Sequence, residues 1–298
     1  MPNLKEYNTR LVAMNGMRRV TSTMQMVAAS HLHRMQRELT HPLAYGKALK
    51  ELLQRAAYVP SFAQHRLMGG ASPARQQSPA PAKPVNILLI VMGSDRGLCG
   101  SFNHGIAVTT RHWVEEQRER RDIAVETVYA GQKVAHLLAR ELPSASPAHI
   151  FPAHPKSHEM AALANAVMDR FMKGEVDEVW LSGSRFVNTL RHDDSVRQLV
   201  PFAEAVPPDT PYPNLPQLEP EDPRTLETLM RQWVRYRLFT AQQHRLASEH
   251  ASRMVAMSSA TDNLTSMEKD LKLRRNRARQ AAITSELIEI IAGAESLA

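Results

Sequence analysis

The chain has 298 residues, of which 43% are hydrophobic and 22% charged, a balance typical of a packed protein and not of a disordered one. Its single cysteine excludes an internal disulfide framework and argues against a thiolate metal cluster. The formal net charge of +7 indicates acidic partners, without choosing between nucleic acid, anionic lipid and acidic protein. No apolar run approaches the roughly 20 residues that cross a bilayer, so we expect a cytoplasmic protein.

The N-terminal segment, residues 4–39, is predicted to be a long helix. Its apolar side chains recur mostly every three or four positions, which predicts a single stripe along one helix face. They are Leu4, Tyr7, Leu11, Met14, Met17, Val20, Met24, Val27, Leu32, Met35 and Leu39. Pro42 ends or kinks this helix, and a second helix is predicted at 43–58. Residues 71–84 are rich in Pro, Ala, Ser and Gln, which predicts a flexible surface loop.

The middle of the chain alternates between strand and helix patterns. Residues 85–92, V-N-I-L-L-I-V-M, are nearly all apolar, as in a strand buried on both faces. Further strands are predicted at 124–129, at 176–182 and from Phe186 onward, and helices at 103–120, 132–141 and 160–173. This alternation predicts a small, mainly parallel sheet with helical cover. Residues 201–223 are dense in proline and predict an extended connector.

The C-terminal segment is unusually long for one helix. Residues 224–292 contain neither glycine nor proline, and one continuous helix of that length would measure about 100 Å. No compact domain of this size buries such a length, so the helix is expected to protrude and to need a partner. The N-terminal helix, about 54 Å long, can supply one. Leu264, Met267 and Leu271 keep coiled-coil spacing and Arg274 breaks it, which predicts an irregular two-helix coil.

The turn after the first predicted strand reads S-D-R-G-L-C-G at 94–100. Such turns are where α/β folds place ligand sites. One hypothesis makes Cys99 a nucleophile, activated by the helix start and by Arg96. However, the segment matches neither G-x-x-x-x-G-K-[ST] nor G-x-G-x-x-G. The simpler interpretation is a tight turn in which Asp95 and Arg96 are paired or act as caps.

A basic run occupies residues 269–279, K-D-L-K-L-R-R-N-R-A-R. It could follow nucleic-acid phosphates, and this is the second alternative function. No aromatic side chains interleave with the charges to stack on bases. The default interpretation is therefore a helix surface that faces solvent or an acidic partner.

Three segments together resemble the gamma subunit of F-type ATP synthases. They are M-R-R-V-T-S-T-M-Q-M-V-A-A-S-H-L-H-R-M-Q at 17–36, S-D-R-G-L-C-G at 94–100, and the stretch 247–293. The last contains S-E-H-A-S-R-M-V-A-M-S-S-A-T-D-N and N-R-A-R-Q-A-A-I-T-S-E-L-I-E-I. A weaker match lies at 184–202, around R-F-V-N-T-L. The matches follow the family's order across nearly the whole chain.

The resemblance implies an α/β fold in which the N- and C-terminal helices form a long antiparallel coiled coil beside a small Rossmann-like α/β domain. It also implies a rotor shaft inside a ring of alpha and beta subunits. The α/β domain would contact the epsilon subunit and the membrane ring of c subunits. The shaft would couple proton or sodium flow to ATP synthesis or hydrolysis at the beta sites, and regulate both ATPase activity and ion flow. It would lie at the cytoplasmic face of the bacterial inner membrane, without spanning it or binding nucleic acid.

The resemblance also implies which residues contact partners. Met24 matches a methionine on the face near the beta subunits, and Arg279 and Gln280 match an Arg-Gln pair that meets an acidic loop of beta. Catalytic, metal-binding and cofactor-binding residues are not expected. Ser22 and Gln25 depart from the family pattern, which often carries lysines there.

The sequence is divided into five parts on these grounds. They are an N-terminal helical part at 1–58, a Pro/Ala/Ser-rich loop at 59–84, the α/β domain at 85–205, a Pro-rich connector at 206–223 and the long C-terminal helix at 224–298.

Overall fold

The computed structural model describes residues 4–40, 42–69, 84–142, 150–151, 157–202 and 222–295. The chain divides into two compact units. Unit 1 consists of residues 1–30 and 253–298, and unit 2 of residues 31–252. Among the described helices, none is both long and apolar enough to cross a bilayer.

The terminal helices are those that the sequence predicts. Helix α1 covers Leu4–Thr40, and the last helix, α7, covers Pro223–Glu295, which is 73 residues. Helix α2, Leu43–Ala56, begins directly after Pro42. Long helices without internal proline keep every backbone hydrogen bond, which is why the composition alone predicted them.

The expected loop at 59–84 is partly wrong. Its first residues form a short helix α3, Pro60–Ala63, and a 3₁₀ turn, Arg66–Met68. Phe62 and Leu67 from these elements are fully buried. These two side chains, together with hydrogen bonds from Arg66 to backbone carbonyls, hold this segment on the core of unit 2. Residues 70–83, and with them most of the Pro- and Ala-rich stretch, lie outside the described residues.

The sheet has five strands in the order β3-β2-β1-β4-β5. The strands are β1 Val85–Met92, β2 Ile123–Ala130, β3 Ile150–Phe151, β4 Glu178–Phe186 and β5 His192–Val200. The first four are parallel, and β5 is antiparallel to β4. The expected mainly parallel sheet is therefore confirmed. Strand β3 was not predicted, because two residues are too few for a periodic signal.

The last strand begins later than predicted. Phe186 ends β4, and a turn follows in which the amides of Val187 and Asn188 both donate to the carbonyl of Arg191. The Asn188 side chain accepts from the amides of Leu190 and Arg191 at 2.9 and 2.8 Å. This side-chain bonding closes the turn and sends β5 back along β4.

Helices cover the sheet on both faces. They are α4 Phe102–Arg120, α5 Gln132–Leu138 and α6 Ser157–Lys173, together with α2 and the first part of α7. Leu88, Ile90 and Met92 of β1 belong to one apolar cluster, with residues of α2, α6 and α7. Leu89 and Val91 alternate with them and join the other cluster, with residues of α4 and α5. Each such side chain stabilises the fold by about 1.5–3 kcal/mol.

The first part of α7 is a core element of unit 2. Leu226, Met230, Trp233, Val234 and Leu238 are all buried, at helical spacing, in the cluster that contains Leu88 and Ile90. This three-layer arrangement confirms the predicted Rossmann-like α/β architecture.

Candidate functional site

Unit 1 pairs the first part of α1 with the last part of α7. Buried and half-buried side chains recur on both helices at alternating intervals of three and four, the heptad spacing of a coiled coil. On α1 they are Leu4, Tyr7, Leu11, Met14, Arg18, Thr21, Gln25 and Ala28. On α7 they are Met257, Thr261, Leu264, Glu268, Leu271, Arg275, Ala278 and Ala282.

Polar pairs show the direction of the two helices. Thr261 Oγ1 donates to Thr21 Oγ1 at 2.8 Å, and Arg18 Nε lies 3.5 Å from Glu268 Oε2. Earlier positions on α1 thus meet later positions on α7, and the coiled coil is antiparallel, as expected. The middle of this seam is polar, whereas an idealised coiled coil would be apolar there. These polar contacts fix the register of the two helices.

Glu268 is the acidic centre of that seam. Lys272 Nζ lies 2.7 Å from Glu268 Oε1, one helical turn along α7. The hydrogen bond from Lys272, reinforced by the charges of Lys272 and Arg18, holds the pKa of the Glu268 carboxyl below its usual value. The carboxylate is therefore ionised at neutral pH and ties two basic side chains to the seam.

The expectation of one apolar stripe along α1 is wrong for its middle. Met17, Val20 and Val27 are 57%, 58% and 49% exposed, whereas Arg18 and Thr21 lie in the seam. Adjacent residues differ by about 100° around a helix. A step of four from Met14 reaches Arg18 and a step of three reaches Met17, so the apolar side chains leave the seam there. They form a second, exposed apolar face on α1.

Met24 is half-buried beside this exposed face, and Arg279 and Gln280 are exposed on α7. Since Thr21 meets Thr261 in an antiparallel pair, Met24 lies opposite residue 258, about 21 positions before Arg279. At 1.5 Å per residue this places the two expected contact sites roughly 32 Å apart along the coil. The structure therefore does not bring them together as one site. It places them at two levels of unit 1.

The end of α7 exposes apolar side chains. Every residue from 283 to 292 is exposed. The exposed fraction is between 49% and 67% for the large apolar side chains, which are Ile283, Leu287, Ile288, Ile290 and Ile291. An apolar stretch of this kind marks a surface that a partner covers.

The predicted seam role of Met267 is wrong, because its side chain is 58% exposed. Leu264 and Leu271, predicted with it, are half-buried in the seam.

The basic run at 269–279 does not form one charged face. Arg275 is half-buried in the seam and Lys272 is bonded to Glu268. The exposed Lys269, Arg274, Arg277 and Arg279 point in different directions at about 100° per residue. A groove or stripe that follows a phosphate backbone needs its charges on one side, so this geometry argues against the nucleic-acid alternative.

The turn at 94–100 is held by its own polar groups. The Asn103 side chain accepts from the Ser94 amide at 2.9 Å and donates to Ser94 Oγ at 2.8 Å. Asp95 Oδ1 accepts from the amide of Gln132 at 2.9 Å, at the first residue of α5. Asp95 is thus a cap, as the simpler interpretation predicted, but its partner is the start of another helix.

Cys99 is 2% exposed and belongs to the apolar cluster under α4. Asn103 Nδ2 donates to its sulfur at 3.4 Å. A nucleophile must reach its substrate, and a buried thiol in apolar surroundings is typically inert. The geometry therefore argues against the enzyme alternative.

A buried charged pair on α7 was missed by the sequence analysis. Arg245 is fully buried, and its Nη1 donates to Glu249 Oε2 at 2.8 Å and to the carbonyl of Gly93 at 2.7 Å. Gly93 directly follows β1, so α7 is bonded to the sheet at the base of the 94–100 turn. An Arg and a Glu four residues apart on a helix indicate a surface ion pair, and nothing in that spacing signals burial.

Comparison with known proteins gives consistent matches. The family model described as ATP synthase matches residues 3–297. The ATP synthase gamma chains of Geobacter metallireducens and Acidithiobacillus ferrooxidans are each 34% identical and aligned over all of this chain, with 99% and 100% of their own lengths covered. A chain in the cryo-EM structure of the Euglena gracilis mitochondrial ATP synthase, OSCP/F1/c-ring, superposes with a TM-score of 0.64 at 14% identity. That match covers 99% of this chain and 94% of the other, and at this identity it shows the fold alone.

Proposed function

The chain belongs to the gamma-chain family of ATP synthase, the non-catalytic central stalk and rotor of that complex, and from this premise we propose how its surfaces couple ion flow to nucleotide chemistry. Unit 1 is the part that turns inside a ring of alpha and beta subunits. ATP synthesis or hydrolysis takes place in the beta subunits, and this chain transmits torque between them and the ion-driven membrane ring.

The observation that carries this proposal is the uneven surface of the coiled coil. One face of α1 presents Met17, Val20 and Val27 to the outside, and the end of α7 exposes four isoleucines and Leu287. A shaft can select among beta conformations only if its contacts with them differ from one orientation to another. A coil whose exposed apolar side chains are unevenly distributed around it meets that condition, because turning the coil changes which of them face a given beta subunit.

Two levels of unit 1 supply the proposed contacts with the ring. Met24 lies beside the exposed apolar face and packs against beta, while Arg279 and Gln280 face an acidic loop of beta. A guanidinium holds a carboxylate in a fixed bidentate geometry, which suits a contact that carries force. The exposed isoleucines from residue 283 onward form an apolar surface that the ring covers.

The remaining partners follow from the same premise. Unit 2 contacts the epsilon subunit and the c-subunit ring, and the protein sits at the cytoplasmic face of the bacterial inner membrane. It contributes to the control of ATPase activity and ion flow through its contact with these subunits. The division of the sequence into five parts is proposed on the same basis, except that the start of the second part is helical, at Pro60–Ala63 and Arg66–Met68.

Reconstitution tests this function. The chain is mixed with the cognate alpha and beta subunits, and assembly and ATP hydrolysis are measured. We expect a complex with one copy of this chain and hydrolysis that depends on it. Arg279→Gln is expected to lower hydrolysis severalfold, and Arg277→Gln, an equal charge change on the same exposed stretch, is the matched control. Failure of folded subunits to assemble with this chain, or full hydrolysis without it, would overturn the proposal.

A further inference from the structure

Unit 2 contains a cavity of about 170 Å³ between the sheet and helices α1, α2 and α7. This exceeds the roughly 10–15 Å³ that a single water requires. It is smaller than the ~300–1,000 Å³ typical of pockets for larger organic ligands. Four of its lining side chains are basic, namely Arg185, Arg197, Arg237 and His244. Among the described residues that line it, none is acidic.

The sheet supplies two of the basic groups. In the antiparallel pairing of β4 with β5, Arg185 is opposite Asp193 and Arg197 is opposite Leu181. Residues two or four apart on a strand share a face, so Leu181, Arg185 and Arg197 all lie on the same side of the sheet. This is the side on which α7 packs.

Helix α7 supplies the other two. Arg237 and His244 are seven positions apart, which is close to two helical turns, so they share one face of α7. Thr240 lines the cavity between them, and Ser195 lines it from β5. Two elements of the fold that are distant in sequence thus direct cationic and hydroxyl groups at the same small space.

The arginines that line the cavity also have other contacts. Arg185 lies 2.9 Å from Asp193, which Arg191 also contacts at 3.0 Å, and the Arg237 guanidinium lies over the Trp233 ring at 5.1 Å. Burial lowers the pKa of His244, and the charges of Arg185, Arg197 and Arg237 lower it further.

One ring nitrogen of His244 also has an unused hydrogen-bonding position. Its Nδ1 is buried and has no hydrogen-bond partner within the part of the chain that the structure describes. A buried polar atom without a partner costs free energy unless a ligand or water satisfies it.

We propose that this cavity is a binding site for a small oxyanion of the phosphate class. Guanidinium groups bind such oxyanions through paired N–H donors, and an anion in this cavity would be attracted by all three arginines. The volume fits a free oxyanion better than a whole nucleotide. The site is separate from the rotor contacts of unit 1 and does not depend on the proposed function.

Calorimetric titration of the full-length chain with potassium phosphate tests the site, with potassium chloride at equal ionic strength as the reference. We expect saturable phosphate binding and a rise in Tm that chloride does not produce. Arg197→Gln and Arg237→Gln should each weaken phosphate binding roughly tenfold or more. Arg118→Gln removes the same charge from an exposed position on α4 and should leave binding unchanged.

The design separates loss of the site from loss of the fold. Circular dichroism and the Tm without phosphate show whether each variant is folded. If an arginine variant does not fold, His244→Gln replaces it in the binding test, and it is expected to bind phosphate more weakly than the unaltered chain. In the unaltered chain, phosphate should raise the pKa of the His244 imidazole, followed by NMR. The proposal would be overturned if chloride and phosphate had equal effects, or if the Arg197→Gln/Arg237→Gln double variant bound phosphate as well as the unaltered chain. It would also be overturned if ATP or anionic lipid vesicles bound more tightly than phosphate.

Discussion

Arg245 of α7 donates a hydrogen bond of 2.7 Å to the backbone carbonyl of Gly93, and no part of this arginine is exposed. Gly93 lies between the end of β1 and the 94–100 turn, so a side chain of the long C-terminal helix is bonded to the middle of the sheet. The charge is balanced by Glu249, one turn further along the helix. A rotor must not slip against its own domain, and this buried bond opposes such slippage within unit 2.

Arg245→Met is expected to destabilise the chain by about 3–5 kcal/mol, because it removes one member of a buried ion pair and leaves the other, Glu249, buried. Unfolding in urea measures the change. Arg10→Met is the matched control, since the Arg10–Glu6 pair has the same four-residue spacing and a distance of 2.6 Å but is largely exposed. It should cost less than about 1 kcal/mol. If both variants lost similar amounts of unfolding free energy, burial would not increase the contribution of the Arg245–Glu249 pair.

The Arg245→Met/Glu249→Leu double variant is expected to recover part of the stability that Arg245→Met loses. Removing both members of the pair leaves neither buried charge without the other, and replacing a buried ion pair by apolar groups is often neutral for stability. The same urea titrations measure it. A double variant less stable than the single one would mean that Glu249 stabilises the fold through contacts other than Arg245.

Two glycines should respond in opposite directions to the same substitution. Gly131 has φ of +120°, and a Cβ there would lie 2.6 Å from the carbonyl carbon of Gly93. Gly131→Ala is therefore expected to cost about 2–4 kcal/mol, through strain and through a clash that flexible side chains cannot relieve. Gly16 lies within α1 with nothing within 4 Å of its Cβ position, so Gly16→Ala should stabilise by about 0.5–1 kcal/mol. Thermal unfolding compares them, and a neutral Gly131→Ala would contradict the close packing of the two turns.

The coiled-coil seam should weaken in acid. The folded-state pKa of Glu268 is below its unfolded value, so its contribution is present above the unfolded pKa and is lost as pH falls through the folded pKa. The Tm difference between the unaltered chain and Glu268→Gln should therefore be largest at neutral pH and shrink in acid. Glu286→Gln, at an exposed position on the same helix, is the control. A difference that stays constant from neutral pH into acid would rule out a role for the Glu268 charge.

Much of the fold could be predicted because its elements are strongly patterned. The apolar run of β1 and the absence of glycine and proline from 224 to 292 each permit one interpretation. The seam was harder to predict, because spacing shows that apolar residues share a face and not which face meets the partner. Met17 and Val20 were predicted to belong to one apolar stripe for that reason, whereas Arg18 and Thr21 occupy the seam.

The buried ion pair and the basic cavity of unit 2 could not be predicted from the sequence. Arg245 and Glu249 have the spacing of a surface pair, and their burial depends on where α7 crosses the end of β1. Arg185, Arg197 and Arg237 come from three different elements, and only the packed fold brings them to one cavity. The Met24 and Arg279–Gln280 contacts came from family resemblance and stay predictions.

The central claim, that this chain turns relative to the catalytic ring, is tested most directly by observing rotation. Leu190, 83% exposed in the β4–β5 turn, is replaced by cysteine as an attachment point, and Cys99→Ser removes the only other thiol. A bead is attached to this cysteine in a complex whose beta subunits are fixed to a surface. We predict that ATP makes the bead turn in one direction and that rotation stops when ATP is removed. A complex that hydrolyses ATP at its normal rate while the bead stays still would contradict the account.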